Sequence, residues 1–199
     1  MQEKQQTLKQ KVTLEGTGLH TGKHVELTIN PAEADTGYIF KRIDLEHQPS
    51  IKVQVEHVIT TERGTTIQID EEAQISTIEH LMASLYGLEI DNAEIEVNGP
   101  EMPILDGSAK PYVEAIQNSG IKKLDKEKDY FTLDDKVVYK DEKSGIELIG
   151  IPDEAFSINV QIDYNSHVLG NQYANIENLS GFKDEIAPCR TFVFFHELE

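Results

Sequence analysis

The stretch that most constrains this chain is Ser76-Thr77-Ile78-Glu79-His80-Leu81-Met82-Ala83-Ser84-Leu85-Tyr86-Gly87. Ile78, Leu81, Met82 and Leu85 recur at i, i+3, i+4 and i+7, the spacing of one apolar helical stripe, and Gly87 stands where a helix commonly stops. That stripe reads as core. Glu79 and His80 fall off it, about 100° apart around the axis, so both can face a cleft while the stripe faces inward. The helix start carries partial positive charge, which favours an ionised Glu79 and a neutral, metal-competent His80. Glu79 has a plainer explanation too. Ser76-x-x-Glu79 is the pattern of a capping box, in which the Glu side chain reaches back to the Ser backbone N–H.

Strand signals surround this helix. From Val12 the sequence alternates into Gly16-Thr17-Gly18-Leu19-His20-Thr21-Gly22-Lys23 and resumes at Val25, Leu27 and Ile29, which predicts a hairpin. Its loop is a near miss for a P-loop: Thr17 stands at the first Gly position, His24 replaces Ser/Thr, and a strand follows where a helix is required. An NTPase is therefore rejected. Residues 38–58 read as strands interrupted at 44–49, residues 62–64 as a hairpin turn, 65–69 as a strand and 71–74 as a polar turn. After Gly87, Ala93, Ile95 and Val97 give another strand closed by Asn98-Gly99-Pro100. Ser108 is a plausible N-cap for a second helix with Tyr112, Val113 and Ile116 on its apolar side. A sheet covered by two helices is one α+β layer unit.

Gly120 to Asp129 is charge-rich and poor in apolar residues, and reads as a linker. The boundary is drawn between a first domain, 1–124, and a second, 125–199. Strands are expected again at 130–133, 137–139, 145–151 and 157–164, and an apolar, strand-like segment at Cys189 to Phe195.

Acidity narrows the function. The formal net charge is −18, with 11 basic against 21 acidic residues up to Asp125 and 7 against 15 beyond it. Such an even negative charge repels phosphate backbones and anionic bilayers, so nucleic acid is not an expected partner. No apolar run approaches the length of a transmembrane helix. The single cysteine, Cys189, leaves no internal disulfide, and the polar start Met1-Gln2-Glu3-Lys4 lacks the apolar stretch of a signal peptide, so a cytoplasmic location is expected.

The central stretch, its continuation Asn98-Gly99-Pro100-Glu101-Met102-Pro103-Ile104-Leu105-Asp106-Gly107-Ser108, the early Gly18-Leu19-His20-Thr21-Gly22, the later Asp163-Tyr164-Asn165-Ser166-His167 and Arg190-Thr191-Phe192 together resemble the UDP-3-O-acyl-N-acetylglucosamine deacetylases of lipid A synthesis. The blocks stand in the family's order and span nearly the whole chain, which corresponds to roughly the first two thirds of the family's length. The resemblance implies two similar two-layer α+β domains, the second truncated here. It also implies a zinc cofactor with His80 as one ligand, the other two, a His and an Asp, lying beyond Glu199. By the same resemblance Glu79 is the general base and Thr191 the oxyanion-stabilising hydroxyl. His20 lies near the active site, and Phe192 lines the pocket for sugar or acyl chain. The implied substrate is a nucleotide-sugar lipid that loses acetate from its 2-amino group. The truncated chain is expected to be inactive alone, to hold zinc weakly and to self-associate through an uncovered apolar face.

Two alternatives stay open. One is a non-catalytic module that binds an anionic ligand at the Gly-rich hairpin and helix starts. The other is the deacetylase part of a bifunctional chain that also carries a dehydratase of 3-hydroxyacyl carrier proteins.

Overall fold

The structure is a computed structural model that describes residues 3–195. It is mixed α and β, as the sequence indicates. Its centre is a five-stranded sheet in the order β2-β3-β9-β4-β5, from β2 (Val12–Thr17), β3 (His24–Pro31), β4 (Tyr38–Arg42), β5 (Ser50–Lys52) and β9 (Ala93–Val97). The foreseen hairpin is β2–β3. β9 sits between β3, antiparallel, and β4, parallel, and in this register Leu27 faces Val97, Ile29 faces Ile95, and Phe40 faces Ile95. Alternation puts Val25, Leu27, Ile29, Phe40, Ala93, Ile95 and Val97 on one face, all fully buried.

Two helices cover that face. α1 (Glu79–Gly87) buries Leu81 and Leu85, with Ile78 just ahead of it, and α2 (Lys110–Ser119) buries Tyr112, Val113 and Ile116. The predicted stripe is thus core. Completely removing one such Leu or Ile from water is worth about 1.5–3 kcal/mol, so this face is the main reason the layers stay together. The two helices touch where the Ser84 hydroxyl donates to the carbonyls of His80, at 2.7 Å, and Ala109, at 3.2 Å. A smaller sheet, β6 (Val58–Thr60), β7 (Thr66–Gln68) and β8 (Gln74–Ile75), lies on the chain between β5 and α1 and adds Ile67 and Ile75 to the core.

Several local readings are corrected. α2 starts two residues after Ser108, which accepts from the Lys110 N–H at 3.2 Å while its own N–H and hydroxyl bind Asp106 at 3.0 and 2.7 Å. Ser108 belongs to a side-chain turn ahead of the helix, and Pro111 supplies the first-turn residue. The charged run read as a linker is largely a strand, β10 (Ile121–Glu127), paired with an unforeseen N-terminal strand, β1 (Lys4–Leu8), so pairing runs across the boundary drawn at 124/125. The chain then stays attached: Lys128 ion-pairs with Glu89 at 3.0 Å, and the Tyr130 hydroxyl donates to Glu3 at 2.7 Å.

Beyond Tyr130 stand two antiparallel hairpins, β11 (Val137–Asp141) with β12 (Ile146–Gly150), and β13 (Ile158–Asp163) with β14 (Asn171–Ile176). β14 was not anticipated from sequence, and the expected strands at 130–133 and 189–195 are irregular chain. In the hairpins Val137, Tyr139, Leu148, Ile158, Val160 and Ile162 remain exposed. The tie back to the helices is a second cluster in which Ile176, Phe182 and Ala187 pack on Ala109 and Val113 of the α2 region. α2 therefore splits its apolar surface, Tyr112 and Ile116 to one cluster and Val113 to the other. No helix among the described residues is long and apolar enough to cross a membrane.

Candidate active site

Three segments converge at the start of α1. The first is the turn that delivers Glu79. Ile78 occupies the N-cap with helical φ −81° and ψ −14°, and Ser76 is spent elsewhere: its N–H donates to the Pro100 carbonyl at 2.9 Å, and it bridges Glu101 in a parallel pairing. The capping box is therefore not formed. Between them Thr77, buried and β-branched, sits at φ 60°. A left-handed β-branched residue costs on the order of 1–3 kcal/mol and persists only where surrounding contacts impose it.

The second segment is the loop between β6 and β7. The Thr65 N–H donates to Glu79 Oε2 at 2.9 Å. The α-carbon of Gly64 lies against the other oxygen, since a methyl group there would stand 3.4 Å from Glu79 Oε1. Glu79 is half-buried, tied by one oxygen to the Thr65 N–H, and placed in the first turn of α1.

The third segment is the tip of the β2–β3 hairpin. His20 is exposed, and its Nε2–H donates to the Arg63 carbonyl at 3.1 Å. The tip itself is held from below by Glu101, a wholly buried carboxylate. Oε1 accepts from the His20 N–H at 2.9 Å and the Thr77 hydroxyl at 3.4 Å, and Oε2 accepts from the Thr21 N–H at 2.8 Å. Burial pushes the carboxyl of Glu101 up, but the His20 N–H, the Thr21 hydroxyl and the Thr21 N–H together outweigh it and hold the group below its ordinary value.

His20 and Glu79 thus grip one short loop at Arg63 and Thr65. The other two sequence-derived site residues stand apart from it, with no hydrogen bond or ring contact among the described residues joining them to Glu79 or His80. The Thr191 N–H donates to the Gly107 carbonyl at 2.9 Å, and the neighbouring Arg190 reaches Asp106 at 3.4 Å, which docks this segment on the turn before α2. Phe192 packs against Tyr164 and Phe194, each with ring centroids 5.6 Å away. It forms a wall shared by two apolar hollows: one of about 360 Å³ also touched by Val160, Ile162, Tyr164 and Leu169, the other of about 370 Å³ also touched by Val168, Leu169 and Phe194.

His80 is half-buried beside Glu79, and neither ring nitrogen is engaged by another described residue. That suits one nitrogen ligand of a metal. A zinc site takes three or four protein ligands, and no group of three or more His, Cys, Asp or Glu able to hold a metal occurs among the described residues. These residues alone do not make up a zinc site.

Residues 5–199 match the family defined as UDP-3-O-acyl N-acetylglycosamine deacetylase (LpxC). The chain belongs to that family. Curated relatives agree: it is 47% identical over 196 residues to a protein of Bacteroides thetaiotaomicron and 46% identical over 197 residues to one of Porphyromonas gingivalis, both named "Bifunctional enzyme LpxC/FabZ". It is 42% identical over 196 residues to a Geotalea uraniireducens protein named "UDP-3-O-acyl-N-acetylglucosamine deacetylase". These alignments take in 98–99% of this chain but 42% of each bifunctional relative and 63% of the third.

Glu101, Thr77 and Thr65 are the participants that motif reading did not single out. Glu101 had a signal, since an acid framed by Pro100, Met102 and Pro103 in an apolar run must find donors when buried. Thr65 had none, because its part is played by a backbone N–H.

Proposed function

We propose that this chain carries the base-bearing part of a UDP-3-O-acyl-N-acetylglucosamine deacetylase, which removes acetate from the 2-amino group of its nucleotide-sugar lipid substrate in lipid A synthesis. The observation that carries the reading is the setting of Glu79: anchored by the Thr65 N–H through one oxygen, placed in the first turn of α1, and adjacent to a His80 whose ring no other described residue uses. Glu79 takes the proton of the attacking water as the new C–O bond forms at the amide carbonyl. The Thr191 hydroxyl donates to the oxygen that gains the negative charge. The hollows around Phe192 offer an apolar wall for the acyl chain.

Zinc enters the proposal with His80 as one of its ligands and the other two on the residues the resemblance places beyond Glu199; when bound, it polarises the carbonyl and acidifies water. Protonation of the departing amine is likewise assigned to the longer chain. The names of the two bifunctional relatives extend the reading to a longer protein that also dehydrates 3-hydroxyacyl carrier proteins. Cytoplasm is the proposed compartment.

The test is acetate release from the acylated nucleotide sugar by a chain continued to the family's full length. Release that depends on Glu79 supports the reading. Binding of the nucleotide sugar with no release would leave the non-catalytic module in its place.

A further inference from the structure

Glu101 is the one acidic side chain without exposure among the described residues, and all its hydrogen bonds go to two turns. Elsewhere this protein closes a hairpin turn cheaply: in the β11–β12 turn, half-buried Asp141 accepts from the Lys143 N–H at 3.0 Å and the Ser144 hydroxyl at 2.7 Å, two and three residues away. The tip at His20 instead draws on a buried carboxylate 81 residues distant. Burying a charge is unfavourable unless several donors surround it, so a hairpin tip alone does not account for it. The backbone is fitted around the carboxylate. A methyl group on Gly18 would drive into the Glu101 carboxylate and stand 2.5 Å from Thr21 Oγ1.

What Glu101 joins is informative. Through the His20 and Thr21 amides it fixes the tip whose imidazole donates Nε2–H to the Arg63 carbonyl; through Thr77 it holds the strained turn two residues before Glu79. Arg63 and Thr65, contacted by His20 and Glu79, lie on the same loop. A carbonyl only accepts, so of the two neutral tautomers of His20 this bond selects the one with its proton on Nε2 and its lone pair on Nδ1.

We propose that Glu101 is a positioning residue: it clasps the hairpin tip and the Thr77 turn together, and so sets His20, in one tautomer, across the Arg63–Thr65 loop from Glu79. The inference deepens the proposed deacetylase reading and rests on it for the importance of Glu79.

Nitrogen-15 NMR of the chain tests it without any turnover. In the unaltered protein the neutral His20 ring shows a protonated Nε2 and an unprotonated Nδ1, and the His20 and Thr21 amides exchange slowly. In E101Q a single carbonyl oxygen cannot serve both amides; their exchange rises about tenfold or more, the His20 ring shifts toward those of a free imidazole, and the Thr65 amide moves. Methyl signals of Ile29, Ile95 and Leu85 hold still. Gly18→Ala, which displaces the same carboxylate from the other side, reproduces this signature.

A mixed His20 tautomer in the unaltered chain overturns the inference, as does a Thr65 amide indifferent to both variants. Core methyls that move with the tip, or loss of the fold in both variants, overturn it as well, since Glu101 would then be a general support of the sheet. Failure of the deacetylase reading leaves all these signals in place, so the two failures are told apart.

Discussion

The Thr65 N–H donates to Glu79 Oε2 at 2.9 Å, which makes Glu79 a residue held from across the site rather than by its own helix. The carbonyl oxygen of a glutamine accepts the same bond. Glu79→Gln is therefore expected to leave the fold and melting temperature in place, while turnover in a chain of full family length falls by roughly 10²–10⁴ because the amide takes no proton from water. Steady-state acetate release alongside a thermal melt checks this. Normal turnover would remove Glu79 as the base.

Zinc content gives a second check. With no group of three or more metal-holding side chains among the described residues, the chain as it stands is expected to lose zinc on dialysis against a mild chelator. Stoichiometric metal surviving that treatment, by elemental analysis, would show that these residues suffice.

Asp106 links acidity to the placement of Thr191. The Ser108 hydroxyl above all, with the Ser108 N–H and Arg190 behind it, holds the Asp106 carboxyl below its ordinary value. A folded value below the unfolded one means the contribution is complete above the usual aspartate range and is lost as pH falls through the folded value. The Arg190–Thr191 segment is expected to loosen on that acid side, seen as faster exchange of the Thr191 amide. D106N abolishes this acid step, and because the Arg190 contact is exposed, added salt weakens it.

Gly87 meets the Phe182 ring at its α-carbon. Gly87→Ala raises helix propensity by about 1 kcal/mol at most but forces the ring outward, an overpacking cost of about 1–3 kcal/mol. The expected net result is a lower melting temperature. In a Phe182→Ala background the same substitution is expected to be neutral or stabilising, and a loss of equal size in both backgrounds would refute the packing argument.

The β13–β14 hairpin pairs Ile158 with Ile176 and Val160 with Ala174, and leaves Ile158, Val160 and Ile162 each more than 40% exposed. An apolar strip of this kind drives association. Light scattering is expected to show mass rising with concentration together with binding of an apolar dye, both reduced by Val160→Lys. A monodisperse monomer that binds no dye would count against it.

How much was legible depended on whether a residue's partners were near it in sequence. The α1 stripe and the β2–β3 hairpin obey local periods, so Leu81, Leu85, Val25 and Leu27 fell where expected. β10 was hidden because Lys122, Lys123 and Lys126 on an edge pairing look like a solvated run; only β1, more than a hundred residues earlier, makes it a strand. Ser76 to Glu79 fits a capping box on paper, and the box loses to the Pro100 carbonyl, which no local rule brings to Ser76. Phe192 and Phe194 have strand-like composition, yet they pack as an aromatic group around Tyr164 with no ladder beside them.

The pairing of Lys4–Leu8 with Ile121–Glu127 sets a timetable as well as a shape. During synthesis at about 5–20 residues per second the first strand emerges many seconds before its partner exists. Until then the unpaired β1 edge and the half-built sheet are open to any other strand nearby. Chaperone occupancy on nascent chains is accordingly expected to persist until residue 127 is free of the ribosome, and to drop once β10 closes onto the N-terminus.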